Sequence, residues 1–119
     1  MISYKLLLAI GLIHWLADFA LQTHWQASNK SDDMFALLKH VATYSLVWLL
    51  FSTIHFEHFG TGVVFAVITF VTHFAIDLIT SHIVKQCFDE GDYHNGFVVI
   101  GFDQILHYVQ LILTYELLK

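Results

Sequence analysis

Three segments of the 119-residue sequence carry the same two-residue unit: His14 with Asp18, His73 with Asp77, and Asp103 with His107, each spaced i, i+4. Four residues advance about 400° at 3.6 per turn, so on a helix both side chains of a unit share one face. Imidazole and carboxylate together are ligands for a divalent metal, and they are equally the parts of a proton relay. His40 adds a further imidazole, with Tyr44 one turn on and Lys39 beside it.

The residues around these units are apolar. Hydrophobic residues make up 57% of the chain and charged residues 13%, against roughly 25% charged in a soluble domain; the mean hydropathy is +0.65. Four apolar stretches run from about Tyr4 to Thr23, Met34 to Thr53, Gly62 to Val84 and Gly96 to Leu118. Each has about the 20 residues that cross a bilayer core, and a segment such as Val63 to Phe70 is apolar on every side, as no surface helix is. The expected fold is all-α, an antiparallel four-helix transmembrane bundle forming one integral membrane domain over residues 1–119. Short polar breaks (QASNKSDD, IHFEHFGT and KQCFDEGDYHN) join antiparallel neighbours, and Ser31, Asp32 or Asp33 is placed to cap the second helix. The start resembles a signal peptide, with Lys5 before an apolar run. The helical pattern continues to Gln22 without a small-residue cleavage site, so it reads as a retained first span.

A net charge of −5, five lysines, no arginine and no basic run exclude nucleic acid as a partner. Cys87, the single cysteine, excludes a disulfide framework and a Cys-rich zinc site.

Depth strengthens the grouping. Asp18 lies ten residues before Ser28 in the first break and His40 twelve after it; Asp77 lies thirteen before Glu90 in the third break and Asp103 thirteen after it. Equal distances from the loops of an antiparallel bundle are equal heights, so His14, Asp18, His40, His73, Asp77, Asp103 and His107 should converge in one half of the membrane. An isolated Asp at mid-helix costs about 2.5–3.5 kcal/mol on insertion scales, and three are present. Lys5, Lys30, Lys85 and Lys119 sit at span ends, which leaves Lys39 as the lysine near the cluster. Divalent metal supplies the missing positive charge: one or two ions, zinc first and manganese or iron as alternatives, bridged by an Asp, with all seven residues as ligands. Mutual His–Asp pairing between helices and a proton relay are the competing readings.

Within the metal reading, Asp18, Asp77 and Asp103 are the candidate catalytic groups. Gln22 and Gln110 continue the faces of their units and would support the ligands. Asn29, Lys30 and Tyr44 are candidates for holding an anionic head group. His82, nine residues from His73, falls on the opposite face of a regular helix. His55, Glu57 and His58 belong to the far side of the bundle, and His24 and His94 to loops.

The motifs HWLADFALQ, NK, LLKH, THFAID and IGFDQILHY, in this order over nearly the whole chain, resemble the small bacterial and phage membrane proteins of the domain of unknown function 3307 family. That resemblance implies an inner-membrane location and supplies no activity. The His-x-x-x-Asp units are also similar to those of predicted membrane-bound metal-dependent hydrolases and, beyond them, of zinc-dependent phospholipase C and P1-type nucleases. His14/Asp18 and His73/Asp77 match the unit, Asp103/His107 is reversed, and the amino-terminal tryptophan ligand of the soluble enzymes has no counterpart. The similarity implies a hydrolase of a lipid or lipid-linked phosphate ester, with membrane lipid as its surroundings and a lipid-like molecule as substrate. A metal-ion or proton transporter and an accessory membrane subunit are the alternatives, and a homo-oligomer is left open.

Overall fold

A computed structural model describes residues 2–119, and among them the structure is all-helical. Helix α1 (Tyr4–Trp15) starts on Ser3, whose hydroxyl accepts from the Leu6 amide at 3.2 Å. It runs straight into a π turn (Leu16–Ala20), closed by the Leu21 amide on the Leu16 carbonyl at 2.9 Å. A short helix α2 (His24–Asn29) follows, held by a reciprocal capping box between Thr23 and Gln26. Helices α3 (Met34–His55), α4 (Phe59–Asp89) and α5 (Tyr93–Leu118) make up the rest. Asp33 caps α3 through the Phe35 amide, and Asp92 caps α5 through the Asn95 amide. Between α4 and α5 the chain reverses at Gly91, whose φ of +76° suits glycine. The Asp92 and Gly91 amides there bond back to the Cys87 and Phe88 carbonyls in a Schellman motif.

Three helices, α3, α4 and α5, are long and apolar enough to cross a membrane, which points to a membrane protein. At 1.5 Å per residue the 22 residues of α3 span about 33 Å. The expected first span over residues 4–23 is composite: helix runs unbroken from Tyr4 to Ala20, as α1 and then the π turn, and ends before α2 begins at His24. The third apolar segment is longer than expected, since α4 continues through Lys85, Gln86 and Cys87 to Asp89.

Helix α4 packs along both α3 and α5, residues 4–15 lie against α5, and the π turn lies against α3. Ile10, Tyr44, Trp48, Phe65 and Leu111 form the buried apolar core. Large apolar side chains such as Leu12, Leu50, Val67, Ile79, Phe102 and Leu113 face outward. The His and Asp residues of the three units, with His40, are inside.

Candidate metal centre

Every residue of the three units, and His40, is buried: His14, His40, His73 and His107 are fully so, and Asp18, Asp77 and Asp103 nearly so. The helices aim them at one point. Asp18 sits on the π turn, which advances its side chain relative to a regular helix and brings it under α3; π turns recur at functional sites.

Two groups of side chains could hold a metal ion: Asp18, His40, His73 and Asp77, and Asp18, Asp103 and His107. In the first, Nε2 of His40 is 3.0 Å from Asp18 Oδ1, 3.3 Å from Asp77 Oδ2 and 3.2 Å from Nε2 of His73. Nε2 of His73 is 3.6 Å from Asp18 Oδ1 and 3.5 Å from Asp77 Oδ2. Ligands about 2.0–2.1 Å from a tetrahedral zinc stand about 3.3 Å from one another, so five of the six edges of this group, at 3.0–3.6 Å, are compatible with an ion between them, as they are with direct hydrogen bonds. Two facing imidazole nitrogens 3.2 Å apart hold at most one proton between them. A cation shared between them satisfies both lone pairs.

In the second group, Nε2 of His107 is 3.3 Å from Asp103 Oδ2 and also 3.2 Å from Asp77 Oδ1. The other oxygen of Asp103 accepts from Thr80 at 2.6 Å. Asp18 belongs to both groups and is the carboxylate placed to bridge them.

The rings are fixed by packing. His73 lies between Tyr44, at a centroid distance of 3.9 Å, and His107, stacked at 4.1 Å. Nδ1 of His40, His73 and His107 is buried with no hydrogen-bond partner among the described residues. The Nε2 edges, by contrast, all face carboxylates.

His14 departs from the expected ligand set. Its Nδ1 takes the Tyr44 hydroxyl at 2.8 Å and its Nε2 takes Gln104 Oε1 at 2.7 Å, so both nitrogens are spent. The Gln104 amide nitrogen then donates to Asp18 Oδ2 at 3.2 Å and to Asp103 Oδ2 at 3.0 Å. Tyr44, His14 and Gln104 thus form a hydrogen-bonded relay that ends on the carboxylates of the second group. Tyr44 is wholly buried behind His73, where it positions rings and does not meet a head group. Gln104 neighbours Asp103 in sequence, and its i, i+3 spacing to His107 is what places it on the same face.

Lys30, and not Lys39 as expected from the sequence, is the lysine of the cluster. Lys39 turns outward, its ammonium over the rings of Phe35 at 4.7 Å and Trp25 at 5.6 Å. Lys30, from the end of α2, reaches in and donates to Asp77 Oδ2 at 2.8 Å, with 21% of its side chain exposed. Burial opposes its charge, but Asp77 and then Asp18 outweigh that and hold its pKa above the ordinary lysine value.

A cavity of about 450 Å³ leads from the cluster toward the α4–α5 turn. Asp18, Asp103 and Gln104 line its inner end; Phe19, Val84, Phe88 and Ile100 give it apolar walls; Lys30 and Lys85 bring two cations to it. Gln22 and Ser81 also line it, and Gln22 Oε1 and Ser81 Oγ are buried without a hydrogen-bond partner among the described residues. Asn29 is turned back on the Trp25 carbonyl at 2.8 Å and does not line the cavity. Gln110 bonds Thr69 at 3.2 Å and Thr114 at 3.1 Å, so its amide serves those threonines and not the cluster. His82 bonds the Leu78 carbonyl of its own helix, and His55, Glu57 and His58 line a separate recess beside Tyr115 and Lys119.

The family model described as protein of unknown function (DUF3307) matches residues 5–119. No curated protein and no solved structure matches the chain.

Proposed function

Since this chain belongs to the DUF3307 family, whose description names no function, we propose from the site itself that it is a membrane-embedded, metal-dependent hydrolase of a lipid or lipid-linked phosphate ester. In this reading α1 with its π turn joins α3, α4 and α5 as the fourth member of a transmembrane bundle, one integral membrane domain that holds two divalent ions, zinc first and manganese or iron as alternatives. The observation that carries it is the near-tetrahedral spacing of Asp18, His40, His73 and Asp77, 3.0–3.6 Å along five edges. The likeness of His73/Asp77 to the His-x-x-x-Asp units of metal-dependent phosphoesterases is consistent with this reading.

The two groups divide the work. Four protein ligands make a closed position, whereas three leave room for water or substrate. Asp18, His40, His73 and Asp77 form the closed set; Asp18, Asp103 and His107 form the open one, and two of those three line the cavity. Bound metal there would lower the pKa of a water toward neutrality and polarise the phosphoryl oxygen. A cluster Asp or His would take the proton of that water, while Asp103, with Oδ1 held by Thr80 and Oδ2 facing His107, is positioned as a ligand. Hydrolysis would then join the water oxygen to phosphorus, break the ester P–O bond and return the proton to the departing alcohol oxygen. Asp77 Oδ1 lies beside the same His107 Nε2 that faces Asp103, and Gln104 orients Asp18. The apolar walls from Phe19 to Ile100 suit the chain of an amphiphile, and the inner polar end suits its head group.

The test is turnover on a panel of phospholipids and lipid phosphates in mixed micelles. Activity that disappears with EDTA, returns with zinc and is absent from His73→Ala supports the reading. Metal-loaded protein that turns over nothing on the panel, while carrying metal or protons across proteoliposomes, moves the assignment to a transporter. The Gln110, Thr69 and Thr114 network in the other half of the bundle is the observation on that side.

A further inference from the structure

Lys30 stands on an atom that the metal reading needs. Its ammonium is 2.8 Å from Asp77 Oδ2, the same oxygen that lies 3.3 Å from His40 Nε2 and 3.5 Å from His73 Nε2. An ion bound by these three residues and Asp18 would sit within reach of Oδ2, and two cations do not share that position in a low-dielectric interior. The lysine is not built into a helix at this height. It hangs from the end of the six-residue helix α2, and a fifth of its side chain already faces the cavity. Its long stem can turn the ammonium from Asp77 into that cavity without moving a spanning helix.

We infer that Lys30 is a displaceable internal cation, which neutralises Asp77 when the four-residue group is metal-free and is released into the cavity, as an anchor for an anionic phosphate group, when the metal binds. This rests on the metal reading above and adds to it an order of events. Without metal, Asp77 is compensated and the cavity lacks a free ammonium near its inner end. With metal, the same ammonium faces the space where a phosphate would lie. The chain thereby couples phosphate binding to metal loading through one side chain.

Metal affinity and lysine accessibility test this in the full chain purified in detergent. If Lys30 sits on Asp77 about nine-tenths of the time, its removal tightens zinc binding about tenfold, because the competent fraction rises to one. Lys30→Met and the milder Lys30→Gln are titrated with zinc against a chromophoric chelator, both kept folded by purification in zinc before stripping. The expected result is tighter zinc binding in both variants, with a lower melting temperature than wild type in EDTA and no deficit in zinc. In the wild type, amine labelling followed by mass spectrometry should show Lys30 reacting several-fold faster with zinc than with EDTA, while Lys85 is unchanged. Zinc binding that is unchanged or weaker in both variants, or Lys30 labelling that zinc does not raise, overturns the inference and leaves the metal centre standing. If neither wild type nor variants bind zinc, manganese or iron, the metal reading itself fails, and Lys30 is a fixed counter-ion.

Discussion

The two halves of the bundle are held in different ways. Toward the α3–α4 turn, Trp48 packs on Phe51 and Phe65 with centroids 5.6 and 5.8 Å away, and Phe56 lies against Phe65 and Tyr115. There α3 and α4 come so close that a Cβ on Gly62 would lie 2.7 Å from the Thr53 backbone. Toward the α4–α5 turn, the same helices are joined by Asp77, which meets Lys30, His40, His73 and His107 at once. In lipid an apolar interface gains packing but little hydrophobic driving force, since the surrounding chains are equally apolar. Tight approach therefore sets the first half. Directed charge sets the second, and it fixes the rotation of each helix as packing alone would not.

Substitutions sharpen that contrast, beginning with the largest effect. Asp77→Ala in metal-free protein frees Lys30 to the cavity but takes away the buried carboxylate that His40, His73 and His107 face at once; breaking buried pairs in this way costs about 3–5 kcal/mol, to be read from SDS-induced unfolding. Trp48→Ala opens a cavity in the aromatic half at a cost of about 3 kcal/mol, yet metal stoichiometry stays at the wild-type value. Gly62→Ala forces α3 and α4 apart at their closest approach and should cost about 2 kcal/mol, again without touching metal content. Gln110→Ala removes two interhelical or local hydrogen bonds worth about 0.6 kcal/mol each in a membrane, a loss of about 1 kcal/mol in the same unfolding assay. If Trp48→Ala or Gly62→Ala strips the metal as Asp77→Ala does, the halves are not separable and the comparison breaks.

The sequence carries the parts of this arrangement that follow from period and length. The i, i+4 units share faces, the equal distances of Asp18, His40, Asp77 and Asp103 from the breaks become a common site, and Asp33 caps α3. What stayed hidden depends on contacts across helices. The π turn at Leu16–Ala20 leaves no compositional mark, because its residues fit an α-helix equally well. Lys30 reads as an interfacial lysine until α2 folds back over the cluster. His14 has the spacing of a ligand and loses that role to Tyr44 and Gln104, which approach from two other helices. Tyr44 lies on the cluster face but packs on His73 and bonds His14, and Gln110 turns to Thr69 and Thr114.

The most direct test is the metal content of the purified, unstripped chain, measured by elemental analysis beside Asp18→Ala, in which both groups lose their shared ligand. Two ligand groups call for about two equivalents of zinc, manganese or iron per folded wild-type chain, and for about one or fewer in Asp18→Ala, where the four-residue group keeps three ligands and the three-residue group only two. Folded wild-type protein with no divalent metal above the buffer blank, and no uptake on titration, would contradict the account.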